Sequence, residues 1–217
     1  ILGGYASVIL VMLMGQSRVF YSMSKDGLLP KVFSNVHPKF QTPAKSNLMF
    51  MLLVSLFAAF VPARVVGEMT SIGTLFAFIL VCIGIWVVGF LLADFPRGFK
   101  TPLVPLVPIL GVVTCFFMMA FLPLDTWIRL IVWMIIGLDI YLWYGIYHSK
   151  LSGGQPETLK QANRVGGLSG VILSLSLIAI AFIHHHVTNG ADNVIFYFSL
   201  IFAAAHVVLY VRRMMKK

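Results

Sequence analysis

Apolar residues in this chain arrive in runs, and each run is about as long as a helix must be to cross a bilayer. Seven such spans can be counted, at Ile1 to about Met23 and at about 46–62, 69–93, 104–122, 126–147, 167–186 and 192–211. A hydrocarbon core about 30 Å thick needs about 20 helical residues to cross it. It offers no water to backbone N–H and C=O groups, so only helices and closed barrels span it. The runs do not alternate polar with apolar residues, as barrel strands must. The expectation is an all-α integral membrane protein with about seven transmembrane helices. Charged residues make up only 11% of the chain, against about 25% in soluble domains, and mean hydropathy is +0.95. Ile1 lies inside an apolar run, which reads as a fragment of a longer protein.

Charge sets the expected orientation. Taking the connections alternately, fourteen of the sixteen basic residues fall on one side. They are Arg18, Lys25, Lys31, Lys39 and Lys45, then Arg97 and Lys100, then Lys150, Lys160 and Arg164, and Arg212, Arg213, Lys216 and Lys217 in the tail. Arg64 and Arg129 lie on the other side. Cytoplasmic connections carry the excess of Lys and Arg. The first loop and the C-terminus are therefore expected in the cytoplasm, with Ile1 outside, in the cytoplasmic membrane. The net charge of +9 then reflects orientation, and no nucleic-acid partner is implied. Trp127, Trp133, Trp143, Tyr144 and Tyr147 fall in the fifth span, and those toward its ends fit an aromatic belt. Cys82 and Cys115 lie in apolar spans and suggest free buried thiols.

The most patterned polar stretch is MGQSRVFYSMSKDGLLPKVFSNVHPKFQTPA, at 14–44. Gln16 to Ser24 continues the first helix to the membrane surface. Asp26-Gly27 ends it, since Gly tolerates the left-handed turn at a helix C-terminus. Pro30 starts a short new segment, and His37-Pro38 and Thr42-Pro43 halt the chain again. This run resembles the loop after the eighth membrane helix of cationic amino acid transporters, members of the amino acid, polyamine and organocation transporter superfamily. SIGTLFAFILVCIG at 71–84 is similar to that family's tenth helix. PLVPLVPILG from Pro102, with TWIRLIVWMIIGLDIYLWYGIYHS at 126–149, resembles its C-terminal domain.

The resemblance implies the C-terminal part of a leucine-transporter-like core of five plus five inverted helices, followed by peripheral helices. Residues 1–100 would end the core as helices eight to ten, with the cytoplasmic loop at 16–45. Residues 101–150 would form the C-terminal domain of two helices, and 151–217 a polar linker with an extra helical hairpin. The implied activity is transport of amino acids, cationic first and neutral second, by alternating access. The implied partners are the amino acid, the bilayer and the upstream half of the same transporter. A second copy of the chain is a further candidate. Ser7, Ser71 and Thr74 would flank the substrate path, and Arg18 and Asp26 would sit at the cytoplasmic gate.

Other residues are weighed on their own chemistry. Each hydroxyl of Ser7, Ser71 and Thr74 has a competing use, a bond to its own backbone one turn back. Gly73 and Ala77 form a small-xxx-small pair suited to close helix packing. Asp139, in the middle of the fifth span, is a candidate protonatable group, because a carboxylate there is costly. The alternative is a hydrogen-bonded carboxyl at a helix contact, and with no Lys or Arg within two turns that reading is preferred. His184, His185 and His186 are adjacent, so on a helix they diverge by about 100° and form no metal site. His206 reads as a packing histidine. Gly153-Gly154 lacks the Lys-Ser/Thr of a phosphate loop and reads as linker. No enzyme constellation, metal site or cofactor motif is expected. The rival to transport is a structural or oligomerisation module, in which the last hairpin joins subunits through Ser199 or Ala203.

Overall fold

A computed structural model of the chain describes residues 2–39, 41–91, 103–150 and 156–215. Helices occupy all seven expected positions, and no strand occurs among the described residues. They are α1 Leu2–Lys25, α2 Ala44–Phe60, α3 Ala63–Leu91, α4 Leu106–Ala120, α5 Leu124–Ile140, α7 Pro156–Val187 and α8 Asn193–Met215. A π-turn, Tyr141–Gly145, carries α5 into a last single turn, α6 (Ile146–His148). Five helices are long and apolar enough to cross a membrane, whereas α2 and α4, at 17 and 15 residues, are shorter. All seven apolar spans are thus helical, five of them at full membrane-crossing length and two shorter, among the described residues. Arg97, Lys100, Gly153, Gly154, Lys216 and Lys217, which entered the sequence reading, lie outside the described residues.

The ends of the helices follow their sequence signals. α1 stops at Lys25, and Gly27 adopts φ +83°, beyond the reach of most L side chains. A Cβ on Gly27 would overlap the carbonyl oxygen of His148. The backbone N–H of Lys150 donates to Asp26 O at 3.1 Å, so the end of α1 is docked on the end of α6. Pro30 caps a 3₁₀ turn, Lys31–Ser34, and Pro43 precedes α2. Phe20, Phe33 and Phe50 meet with ring centroids 4.6–6.1 Å apart and pack the loop between α1 and α2.

α7 departs from expectation at its start. Residues 156–164, expected as part of a polar linker ending at Arg164, form the first turns of this helix. Pro156 suits a first helical position, and Glu157, Leu159, Lys160, Gln161 and Ala162 are good helix formers. Their helix propensity outweighs the polarity that marked them as linker.

α5 is common to two cores. On one side α3 and α4 pack with it through Ile72, Ile79 and Met119, with Trp127 and Leu130 alongside. Trp127 Nε1–H donates to Met119 O at 3.2 Å. On the other side Ile128, Ile131 and Ile135 meet Leu177 of α7 and Ala203 and Tyr210 of α8. The α7–α8 hairpin is tight because α7 presents Gly167 and Gly170 to α8, while Gly166 seats Leu142 of the π-turn. A Cβ at Gly170 would stand 2.5–2.6 Å from ring atoms of Tyr210. Ser199 and Ala203 are fully buried within the chain, so neither presents a face to a second copy.

Gly170→Ala is expected to destabilise the chain by about 1–3 kcal/mol through overpacking against a ring that cannot retreat. Gly137→Ala, where nothing lies within 4 Å of an added Cβ, is expected to stabilise by up to about 1 kcal/mol through helix propensity. Thermal unfolding of the two variants in detergent micelles checks the opposite signs.

Candidate functional site

The most developed polar site lies between α5 and α8, around Asp139. Its Oδ1 accepts from Tyr210 OH at 2.7 Å. Its Oδ2 lies 3.0 Å from His206 Nε2. His206 Nδ1 lies 2.7 Å from Phe202 O, and a carbonyl only accepts, so Nδ1 carries a proton. The Asp139–His206 contact then holds one further proton, whether as carboxylic acid with imidazole or carboxylate with imidazolium. Either arrangement ties the two helices together. One turn on, Arg213 Nε donates to Asn163 Oδ1 of α7 at 2.9 Å, and Arg213 Nη2 donates to Leu142 O. Leu142 belongs to the π-turn, where the extra residue displaces the usual helical hydrogen-bond register.

The lone acid of the sequence reading thus has partners 67 and 71 residues away on one face of α8. His206, read as a packing histidine, is one of them. The signal was present as spacing: His206, Tyr210 and Arg213 recur at i, i+4 and i+7, a single helical stripe. Beside the site opens a cleft of about 940 Å³, lined by Asp139, Trp143, Tyr147, Leu209, Arg212 and Arg213 among others.

A second polar cluster joins α3 to α5 at the opposite ends of the helices. Glu68 Oε1 accepts from Arg64 Nε at 2.8 Å. Glu68 Oε2 accepts from Arg129 Nη1 and Thr126 Oγ1, both at 3.2 Å. Arg129 Nη2 pairs with Asp125. Two guanidiniums and two carboxylates balance, so the two exposed-side basic residues of the charge count serve as a helix clip. Arg64–Glu68 and Asp125–Arg129 are i,i+4 pairs, legible in sequence.

The substrate-path candidates are not brought together into one pocket. Ser7 Oγ donates to Gly4 O at 2.9 Å, Ser71 Oγ to Gly67 O at 2.9 Å and Thr74 Oγ1 to Thr70 O at 2.7 Å. All three are exposed, and Ser71 and Thr74 share an open side of α3 with Gly73 and Ala77. Nothing lies within 4 Å of an added Cβ at Gly73, so the small-xxx-small pair packs no helix among the described residues. Arg18 and Asp26 are exposed in the first loop region. His184 Nε2 lies 3.9 Å from Asp192, and His185 stacks on Phe196 at 4.3 Å. Among the described residues no three His, Cys, Asp or Glu side chains group as a metal site. Cys82 and Cys115 are free thiols.

These features define a multi-pass helical membrane protein whose polar groups clamp helices to one another. Residues 99–149 match the family described as the C-terminus of AA_permease. The branched-chain amino acid permease BcaP of Bacillus subtilis (strain 168) is 42% identical over 149 residues, covering 69% of this chain and 32% of the relative. The methylthioribose transporter of the same organism is 33% identical over 149 residues, with the same shares. Cationic amino acid transporter 4, vacuolar, of Arabidopsis thaliana is 38% identical over 82 residues, 38% of this chain and 14% of the relative. The chain is similar to the C-terminal part of permeases of the amino acid, polyamine and organocation transporter superfamily. It spans about a third of the length of the bacterial relatives.

Asp139→Asn is expected to change stability little. The amide oxygen accepts from Tyr210, and the amide nitrogen donates to the bare Nε2 of neutral His206. Asp139→Leu leaves His206 Nε2 without its partner and Tyr210 OH with only the longer bond to Ile135 O at 3.5 Å, and is expected to cost about 1–3 kcal/mol. Equal losses in thermal unfolding for the two variants contradict this account.

Proposed function

We propose that this chain forms the C-terminal part of a secondary transporter that moves amino acids across the cytoplasmic membrane by alternating access. The observation that carries the reading is the 42% identity to a branched-chain amino acid permease, sustained over 149 residues. The substrates put first are branched-chain amino acids, with cationic ones second, which reverses the order expected from the sequence. Two observations favour apolar side chains. The branched-chain permease is 42% identical over 149 residues, whereas the cationic transporters are 38% identical over only 82 residues or 23% identical over 281. Asp and Glu are also absent from the middle turns of α1 and α3, so neither offers a countercharge.

Substrate contact is assigned to α1 and α3. Their sides bearing Ser7, Ser71 and Thr74 are open in this chain and suit contact with the remaining core of the transporter. Hydroxyls bonded to their own backbone still offer lone pairs to a ligand. Broken helices elsewhere in such a core would neutralise the amino acid's charged ends with their free termini. Asp139 is given a positioning role, holding α5 to α8, and Arg18 and Asp26 a place beside the cytoplasmic gate. Residues 1–100, 101–150 and 151–217 remain the proposed units, with the docking of Asp26 on Lys150 joining the first to the second. A role in subunit association for the last hairpin rests on outward faces of α7 and α8, not on Ser199 or Ala203.

Uptake of labelled leucine, isoleucine, arginine, lysine and alanine into proteoliposomes, with and without a proton gradient, tests the activity in the full-length protein. Leucine and isoleucine uptake above that of arginine is expected. Uptake of none of these amino acids by folded protein overturns the reading.

The proposed orientation places Lys39 in the cytoplasm and Ala191 outside. It is tested with Lys39→Cys and Ala191→Cys in a background where Cys82 and Cys115 are replaced by Ser. An impermeant thiol reagent on intact cells is expected to label Ala191→Cys and spare Lys39→Cys; the opposite pattern inverts the topology.

A further inference from the structure

We propose that the cleft between the ends of α5–α6 and α8 is a binding site for the headgroup of an anionic phospholipid. The cleft holds about 940 Å³ and has a polar end and an apolar wall. Arg212 and Arg213 form the polar end, in the last turn of α8. Trp143 and Leu209 form the wall and are 78% and 56% exposed. Tyr147 stands at the rim, one residue before α6 ends.

The placement suits a lipid and not a soluble ligand. α8 is a membrane-length helix and its basic last turn falls where a headgroup phosphate lies. Trp and Tyr favour the same level of the bilayer. Basic pockets between membrane helices recognise anionic headgroups. Asn163 and Leu142 O hold Arg213, so one guanidinium is positioned before any ligand arrives. Arg212 is exposed and supplies a second. Guanidinium groups match phosphate oxygens in paired geometry. The one carboxylate lining the cleft, Asp139, has both oxygens engaged by Tyr210 and His206. Two cations therefore outweigh one occupied anion. A phosphate on the arginines would leave an acyl chain to run along Trp143 and Leu209. The site depends on no assumption about which amino acid is carried.

The test is binding of phosphatidylglycerol to the full-length protein in a neutral detergent, followed by native mass spectrometry, with phosphatidylcholine as comparison. Preferential retention of phosphatidylglycerol is expected. Arg212→Gln removes no side-chain hydrogen bond or ion pair found among the described residues and is expected to weaken that retention about fivefold, in line with one basic residue at an anionic surface. Arg18→Gln, on α1 and outside the cleft, is the control and is expected to leave it unchanged. Equal retention of the two lipids overturns the proposal, as does an Arg212→Gln protein that behaves like its parent. Millimolar inorganic phosphate is expected not to displace the lipid, because it lacks the acyl chain. Full displacement by phosphate would show a soluble-anion site and overturn the lipid assignment.

Discussion

Hydrocarbon offers a buried polar group no hydrogen bond, and this constraint governs almost every polar contact in the chain. Backbone groups satisfy it by forming helices. Ser7, Ser71, Thr74 and Ser174 satisfy it by bonding carbonyls three or four residues back. Asp139 has acceptor oxygens that backbone carbonyls cannot satisfy, so it needs donors beyond its own turn. It finds them on α8, and the helix pair is fixed as a result. The π-turn extends the same logic: a carbonyl displaced from the regular α-helical register is met by Arg213.

Burial of apolar surface does not hold such helices together, because lipid tails are as apolar as leucine. Close packing and polar contacts do. α5 therefore carries a disproportionate share of the architecture. It shares Ile128, Ile131 and Ile135 with α7 and α8, is clipped to α3 through Glu68 and Arg129, and is clamped to α8 through Asp139. Glycines on α7 bring α8 near enough for Tyr210 to be almost wholly buried while its hydroxyl reaches α5.

The helices were legible in the sequence because length and hydropathy alone decide them in a membrane. Turn chemistry was equally readable: Gly27, Pro30 and Pro43 fall where the chain bends or restarts. The start of α7 was missed because its first turns are polar, and a hydropathy reading equates polar with loop. The partners of Asp139 were missed for a different reason. A search within two turns of one helix cannot see a histidine 67 residues away, although the stripe His206, Tyr210, Arg213 marked the face it occupies. The π-turn has no such mark, since YLWYG reads as ordinary helix. Substrate contacts were the least legible, because hydroxyls that serve the backbone and hydroxyls that meet a ligand share one sequence signature.

The close seating of Gly27 against the His148 carbonyl links two parts of the chain that are otherwise far apart. α1 packs mainly on its own loop and α2, whereas α6 is continuous with the helix at the centre of both cores. With no Cβ between them and a backbone hydrogen bond from Lys150 to Asp26, the joint has almost no slack. A slide of α1 must drag the α6 end of α5 with it or break the joint. The seam works as a hinge pin: it lets α1 pivot, but it converts any sliding of α1 into strain on the helix that α3, α7 and α8 all grip.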